Sequence, residues 1–168
     1  MALTHEIIQQ KLNDKFPGQL VDWLEPYGML TFSAIDNTIN LKVLQFLFDD
    51  ETLGFRFLTD LQAVHYPNNK GAELAIVYHL HNLKENVRLR FKVFTSTDKP
   101  DIFSATALYQ AANFMERETY DFYGVNFLGH PNLIRILNVD EMDYFPMRKE
   151  FPLEDQSRVD KDDEMFGR

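Results

Sequence analysis

The chain has 168 residues, a formal net charge of −9 and no cysteine. This length accommodates one domain with a hydrophobic core, and an apolar content of 45% excludes an intrinsically disordered chain. The negative charge argues against direct binding to nucleic acid or to an anionic membrane surface. Because cysteine is absent, disulfides, iron–sulfur ligation and thiol catalysis by this chain are excluded.

The sequence also lacks the features of exported and membrane-spanning proteins. The N-terminus has neither the basic start nor the apolar core of a signal peptide. No stretch approaches the ~20 apolar residues that a spanning helix needs. We therefore expect a soluble protein that reaches a membrane only through a partner.

The first third of the chain predicts a helix, two short strands and a second helix. Thr4 is a suitable N-cap for the first helix, which Pro17-Gly18 ends. Residues 21–35 alternate like two strands around the turn Pro26-Tyr27-Gly28. From about Asn37 the apolar spacing becomes helical again.

The middle of the chain predicts an antiparallel meander with one buried face. Residues 55–66, 72–81 and 87–94 are the strand candidates. The second places Leu74, Ile76, Tyr78 and Leu80 on one face, and the third alternates between apolar residues and cations. The next segment, residues 105–123, has helical spacing and ends at Gly124. No Gly-rich strand-to-helix turn occurs, which argues against nucleotide binding.

The last part of the chain changes character. Residues 125–153 contain many apolar side chains without a helical or strand period, which indicates an extended docking arm. Residues 154–168 are mostly charged and predict a mobile tail. With residues 1–124 as the globular unit, we expect a two-layer α+β fold: a mostly antiparallel or mixed sheet, helices on one face, and the extended C-terminal arm.

The densest polar cluster lies near the end of the predicted helix 105–123. Glu116, Arg117 and Glu118 are followed by Asp121. These residues are compatible with a carboxylate metal site or acid–base pair, with a solvated helix face, or with a charged docking surface. The last two interpretations are favoured, because carboxylate pairs on helices are usually structural.

A histidine set offers a second candidate for a metal site. His79 and His81 are two residues apart on a strand, so both imidazoles should point the same way, and His65 could supply a third ligand. No further ligand stands at a suitable spacing. A partly exposed sheet face is therefore the favoured interpretation.

Two long motifs carry a family resemblance. Residues 116–137 read E-R-E-T-Y-D-F-Y-G-V-N-F-L-G-H-P-N-L-I-R-I-L, and residues 143–153 read D-Y-F-P-M-R-K-E-F-P-L. Both closely resemble the C subunit of the proton-translocating NADH–quinone oxidoreductase, which is the thirty-kilodalton subunit of respiratory complex I. Residues 57–61, 77–80 and 89–93 resemble the middle strands of that family.

The resemblance implies a non-catalytic structural subunit of the hydrophilic arm. Such a subunit would bind the D subunit near the junction with the membrane arm, peripherally on the cytoplasmic face of the bacterial inner membrane. FMN, iron–sulfur clusters and quinone would be carried by partner subunits, so no catalytic, cofactor or metal residues are expected here. The residues expected at the partner interface are Glu116, Arg117, Glu118, Asp121, His130, Pro131, Arg135, Arg148, Lys149, Phe151, Pro152 and Leu153.

A few positions depart from the family pattern, and alternatives stay open. Ala107, Tyr109 and Gln110 replace an acidic residue and Trp-Pro, and Ile134 replaces an arginine. One alternative is the equivalent subunit of a related membrane-bound hydrogenase or ferredoxin-linked dehydrogenase. An alternative of another class is a free metal-dependent enzyme that uses the carboxylates of the 116–121 cluster.

Overall fold

The computed structural model describes residues 3–151. Three helices and seven strands follow each other along this part of the chain: α1 (His5–Lys15), β1 (Leu20–Leu24), β2 (Leu30–Ala34), α2 (Asn40–Asp49), β3 (Phe57–His65), β4 (Leu74–Asn82), β5 (Val87–Thr95), β6 (Asp101–Phe103), α3 (Ala112–Tyr123) and β7 (Asn126–Leu128). The charged tail predicted for residues 154–168, and the interface residues Pro152 and Leu153, lie outside the described residues.

The first two helices begin where the sequence provides caps. The Thr4 side chain accepts a hydrogen bond from the backbone N–H of Ile7, and α1 follows with Ile8 and Leu12 fully buried. The Asp36 carboxylate accepts one from the N–H of Thr38, which begins a short 3-10 turn that continues into α2. Both helices place an apolar stripe on the sheet, as predicted.

Strands β1 to β5 form one mixed sheet in the order β1-β2-β5-β4-β3. Strand β2 pairs with β5 in parallel, and the other neighbouring pairs are antiparallel. The connection between the parallel strands β2 and β5 therefore contains α2 and the β3–β4 hairpin. This arrangement confirms the predicted α+β class and the mixed sheet.

The two faces of this sheet have different surroundings. One cross-strand row joins Phe32, Phe91, Tyr78 and Leu61, and all four side chains belong to the core that the helices cover. The adjacent rows contain the other set of side chains, which lie outside that core, and among residues 3–151 no helix packs over them. Several small side chains on this face are nevertheless buried: Thr31, Ser33, Ala75 and Val77. We call this second surface the open face of the sheet.

Helix α3 begins later than the helical spacing predicts. Residues 105–111 form turns, in which the N–H groups of Leu108 and Tyr109 both donate to the carbonyl of Ala105. The reason is a side-chain contact from within the helix: Glu116 binds the end of the preceding strand and holds the chain there. The apolar residues of this segment still pack into the core, but they do so from turns and not from a helix.

The predicted arm is partly integrated into the globular unit. Strands β6 and β7 form a separate parallel pair, so residues 126–128 hydrogen-bond with 101–103. Strands this short have no readable period, and the sequence pattern therefore did not reveal them. In residues 3–151 no helix is long and apolar enough to cross a membrane.

Candidate functional site

Most of the predicted site residues lie where the segment after β7 runs along α3. We refer to residues 129–151 as the arm. The arm has almost no regular structure, yet it packs on the exposed side of α3 and returns to the end of β3. Its contacts with α3 come from side chains of the E-R-E-x-x-D motif and from arginines of the arm itself.

Asp121 is the centre of these contacts. Its side chain is fully buried, although it carries a carboxylate. One carboxylate oxygen accepts hydrogen bonds from three consecutive backbone N–H groups, those of Ile136, Leu137 and Asn138, at 3.1, 2.8 and 2.9 Å. Successive amides that converge on one anion form an anion-binding concavity, which here is filled by the protein's own carboxylate. The arm is thereby fixed to α3 through its main chain.

Arg135 completes the charge balance of Asp121. Its Nη1 donates to the Asp121 carboxylate at 2.6 Å, and its Nη2 donates to the carbonyls of Met142 and Tyr144 at 2.7 and 3.0 Å. Burial alone would raise the pKa of Asp121. The amides of Asn138 and Leu137 and the Arg135 guanidinium outweigh burial and lower the pKa well below its usual range.

Two further arginines connect α3 with the arm through backbone carbonyls. Arg117 donates from Nε to the carbonyl of Ile134 at 3.2 Å and from Nη2 to that of Arg135 at 3.0 Å. Arg148 donates in the opposite direction, from the arm to the carbonyl of Tyr123 at 2.7 Å. A carbonyl at a helix end has no intrahelical partner, so the second contact also caps α3.

An aromatic ring packs between these arginines. The guanidinium groups of Arg135 and Arg148 lie 5.3 and 4.9 Å from the centroid of the Phe145 ring. The same ring covers Gly124, which ends α3 with a φ of +73°, and a Cβ at this glycine would lie 2.5 Å from the ring. The glycine is thus required both for the left-handed backbone and for the approach of the arm.

Glu116 is turned away from the arm and into the core. The Ser104 hydroxyl and the backbone N–H of Ala105 donate to its two carboxylate oxygens, each at 2.6 Å. Burial raises the pKa of Glu116 to about 7, although both hydrogen bonds oppose the shift. Tyr78 is fully buried nearby, and burial together with the negative charge of Glu116 raises its pKa as well. This carboxylate connects α3 with the end of β6.

The two histidines near the arm also form internal contacts. The Nδ1 atom of His130 accepts from the N–H of Asn132 at 3.0 Å, and its Nε2 donates to the carbonyl of Asn113, also at 3.0 Å. The backbone N–H of Lys149 donates to Nδ1 of His65 at 3.0 Å. Both imidazoles therefore stabilise the path of the arm.

The outer surface of the site is apolar with a few polar residues. Of the residues predicted at the partner interface, Glu118, Pro131 and Lys149 are exposed, and Phe151 is half-buried against Tyr144. Helix α3 and the arm also carry exposed apolar side chains: Phe114, Ile134, Leu137, Val139 and Met147. The side chains of Glu116 and Asp121 face inward and are not part of this surface.

The carboxylates and histidines of the site form contacts within the chain and are not gathered around one point. Within residues 3–151, no three His, Cys, Asp or Glu side chains are placed to share a metal ion. The oxygens of Glu116 and Asp121 are already hydrogen-bonded to donors of the same chain. His79 is on the open face of the sheet and His65 is buried with the core, so the proposed histidine set is not assembled.

Several partners of the motif residues are not apparent from the sequence. Ser104, Tyr123, Asn138 and Phe145 each contact a motif side chain. Three of these contacts span between 12 and 25 positions along the chain, and the partners lie at or beyond the ends of regular elements. No periodic pattern relates such residues to the helix, so only the fold reveals them.

Comparisons with known proteins agree with this architecture. The family model for the respiratory-chain NADH dehydrogenase 30 kDa subunit matches residues 34–157. Among curated relatives, the chain is 39% identical over 148 residues to the NADH-quinone oxidoreductase C subunit of Citrifermentans bemidjiense, covering 88% of this chain and 89% of the relative. With the corresponding C subunit of Streptomyces coelicolor it shares 36% over 154 residues, covering 83% of this chain, which spans 61% of that relative's length.

Two solved structures have a similar fold. A chain of an archaeal membrane-bound sulfane sulfur reductase, a respiratory membrane complex, superposes with a TM-score of 0.74 at 25% identity over 94% of this chain and 95% of that one. The trypsin-resistant fragment (1–134) of Nqo5 superposes with a TM-score of 0.60 at 24% identity over 76% of this chain and 97% of the fragment. The family match and the curated relatives establish the conclusion: the chain belongs to the family of the 30 kDa subunit of respiratory-chain NADH dehydrogenase.

Proposed function

We propose that the chain is a non-catalytic scaffold subunit in the hydrophilic arm of a proton-pumping NADH–quinone oxidoreductase. In this role it binds the D subunit near the membrane-arm junction, on the cytoplasmic face of the inner membrane. FMN, iron–sulfur clusters and quinone are held by partner subunits, so this chain supports electron transfer by positioning its neighbours. The curated relatives, which are named as C subunits of NADH-quinone oxidoreductases, support this assignment.

The observation that carries the proposal is that the arm binds α3 through its backbone and exposes its apolar side chains. Backbone groups of the arm are hydrogen-bonded to Asp121 and Arg117 of α3, whereas the side chains of Ile134, Leu137 and Val139 are 51, 64 and 63% exposed. Exposed apolar side chains that are concentrated in one short segment indicate a protein interface. Because the arm is already ordered by its own domain, a partner does not have to compensate for the entropy of ordering it.

The identity values favour an NADH-linked complex over a related membrane complex. The chain is 36–44% identical to relatives named as C subunits of NADH-quinone oxidoreductases, but 25% identical to the chain from the sulfane sulfur reductase. The alternative of a free metal-dependent enzyme is disfavoured by geometry. Its two buried carboxylates would have to give up hydrogen bonds of 2.6 to 3.1 Å in order to bind an ion.

The assignment is tested by assembly in native membranes. A tagged full-length chain is expected to co-purify with NADH–quinone reductase activity and with the flavin and iron–sulfur proteins of the complex. The purified chain alone is expected to show no visible absorption and no NADH oxidation. A flavin or cluster spectrum in the isolated chain, or purification without any respiratory subunit, would overturn the proposal.

A matched pair of leucines tests the docking surface. Leu137 in the arm and Leu83 in the β4–β5 loop are equally exposed, at 64%. Leu137→Asp should reduce the amount of assembled complex severalfold, because a charge then faces the apolar partner surface. Leu83→Asp introduces the same charge on another side of the molecule and should assemble normally. Equal assembly of both variants would contradict docking through the outer surface of the arm.

A further inference from the structure

The open face of the sheet carries an unusual distribution of charge for an acidic chain. All the Lys, Arg, Asp and Glu residues of strands β2 to β5 are on this face: Arg88, Arg90 and Lys92 of β5, and Asp60 of β3. Three cations therefore stand against one carboxylate, in a molecule whose formal net charge is −9. Because alternate residues of a strand point the same way, the three cations form a row with a spacing of about 7 Å.

The central cation of this row is held in a fixed orientation. The Nε of Arg90 donates to Nε2 of His79 at 2.8 Å, and Nδ1 of His79 lies 3.4 Å from the carboxylate of Asp60. Since Nε2 of His79 accepts a hydrogen bond, the imidazole proton is on Nδ1 and faces Asp60. These three side chains form a chain of contacts across β5, β4 and β3.

The contact with His79 leaves the two terminal nitrogens of the Arg90 guanidinium available. Its Nε is used by His79, while Nη1 and Nη2 make no hydrogen bond to any part of the chain between residues 3 and 151. Two parallel N–H groups of a guanidinium match the two oxygens of a carboxylate. An oriented fork of this kind loses less side-chain entropy on binding than a free arginine does.

The surroundings of the fork favour an anionic partner surface. Arg88 and Lys92 flank Arg90 on the same face and are in no ion pair within the described part of the chain. The exposed Gln62 belongs to the same cross-strand row as Lys92, and the neighbouring β2 residues on this face, Thr31 and Ser33, are small. Positive charge therefore predominates around Arg90, which is itself half-buried.

We propose that the open face of the sheet is a second docking surface, which binds an acidic segment of a neighbouring protein subunit with Arg90 paired to one of its carboxylates. The complementary segment carries at least two carboxylates about 7 Å apart, to match the row of cations. This inference rests on the proposed function, because it assumes that the chain is a subunit of a larger complex. It adds a second contact on the side of the domain that the helices leave uncovered.

Photo-crosslinking in the native complex identifies the occupant directly. Benzoylphenylalanine is placed at Gln62 on the open face, or at the exposed Gln10 of α1 as the control position. Crosslinking from position 62 is expected to join an Asp- or Glu-rich peptide of another subunit. A crosslink to lipid, to a second copy of this chain or to its own residues 152–168 would overturn the proposal, as would the absence of any crosslink from position 62.

Charge substitutions test the role of the fork. Arg90→Lys keeps the charge but removes the fork, and Lys92→Ala removes a flanking charge. Each is expected to lower the fraction of complex retained at low to moderate salt about three- to tenfold. The difference from the unsubstituted chain should shrink as the salt concentration rises, because salt screens the attraction that the substitution removes. Lys84→Ala, in the neighbouring β4–β5 loop, removes the same charge outside the face and should have no effect. Thermal unfolding of each purified variant shows whether its fold is retained.

The outcomes separate this inference from the proposed function. If the unsubstituted chain co-purifies with the respiratory subunits but Arg90→Lys and Lys92→Ala both retain full assembly at every salt concentration, the docking surface is wrong and the proposed function stands. If the unsubstituted chain purifies without those subunits, both the second docking surface and the proposed function are wrong. Loss of assembly by Arg90→Lys and Lys92→Ala, with normal assembly by Lys84→Ala, supports both.

Discussion

The five-stranded sheet and the arm are stabilised by different interactions. In the sheet, large side chains such as Phe32, Phe91 and Tyr78 are completely buried and stack across neighbouring strands. In the arm, no side chain is fully buried, and a small number of charged groups bind backbone atoms. The sheet is stabilised by the burial of many side chains, whereas the arm depends on a few charge-assisted hydrogen bonds.

This difference determines how each region should respond to a destabilising substitution. A substitution in the sheet core removes packing that all strands share, so the whole domain should lose stability. A substitution in the arm should release a local segment while the sheet stays folded. Global and local stability therefore have to be measured separately.

The largest effect is expected in the core. Phe91→Ala removes a fully buried ring that contacts Phe32 and Tyr78 at centroid distances of 5.1 and 5.8 Å. Such truncations reduce the free energy of unfolding by about 3–5 kcal/mol. Urea unfolding should show a single transition at a lower midpoint, with sheet and arm unfolding together. If the arm retained its protection after the sheet had unfolded, the two regions would be independent.

Asp121→Asn should act on the arm alone. The amide side chain cannot accept hydrogen bonds at both positions, and the Arg135 charge loses its partner, so the arm should be destabilised by about 3 kcal/mol. Hydrogen exchange of the amides of Ile136, Leu137 and Asn138 is expected to accelerate by about two orders of magnitude, while β4 and β5 remain protected.

The matched control for Asp121→Asn is Glu118→Gln, which neutralises an exposed carboxylate on the same helix. It should leave exchange in the arm unchanged, because Glu118 does not hold the arm. If the two variants exchanged alike, net charge rather than the buried contact would explain the effect.

Glu116 should make stability fall as the pH rises. Its pKa is about 7 in the folded protein against an ordinary value of 4.5, so the folded state binds the proton more tightly. The protonated form is therefore favoured at low pH, and the folded state loses up to about 3 kcal/mol as the pH rises from about 5 to 8. Glu116→Gln should remove this loss, because glutamine resembles the protonated acid.

His79 requires that this effect be measured as a difference between variants. Burial and the neighbouring Arg90 lower the pKa of His79, so its contribution to stability rises with pH and opposes that of Glu116. The stability of Glu116→Gln minus that of the unsubstituted chain cancels the histidine contribution. This difference should grow between about pH 5 and 8. A difference independent of pH would mean that the carboxyl ionises normally.

The contrast between the regions also explains what the sequence predicted. Strands β4 and β5 were predicted to within a few residues, because each places large apolar side chains at every second position. The motif of α3 was located correctly, but the directions of Glu116 and Asp121 were not apparent from it. Their partners, such as Ser104 and Asn138, are on segments without a period, and such contacts depend on the complete fold.

The smallest effect is expected at Arg117, where charge can be kept while geometry is changed. Arg117→Lys preserves the cation but can reach only one of the two carbonyls, those of Ile134 and Arg135, that the guanidinium binds at 3.2 and 3.0 Å. The loss of one partly exposed hydrogen bond amounts to about 1 kcal/mol, which is about a fivefold faster exchange of the arm amides.

Arg56→Lys is the matched control, because Arg56 also donates to a carbonyl, that of Phe48, on another side of the molecule. It should leave exchange in the arm unchanged. An Arg117→Lys variant with unaltered exchange would show that the Asp121 contacts hold the arm without this arginine.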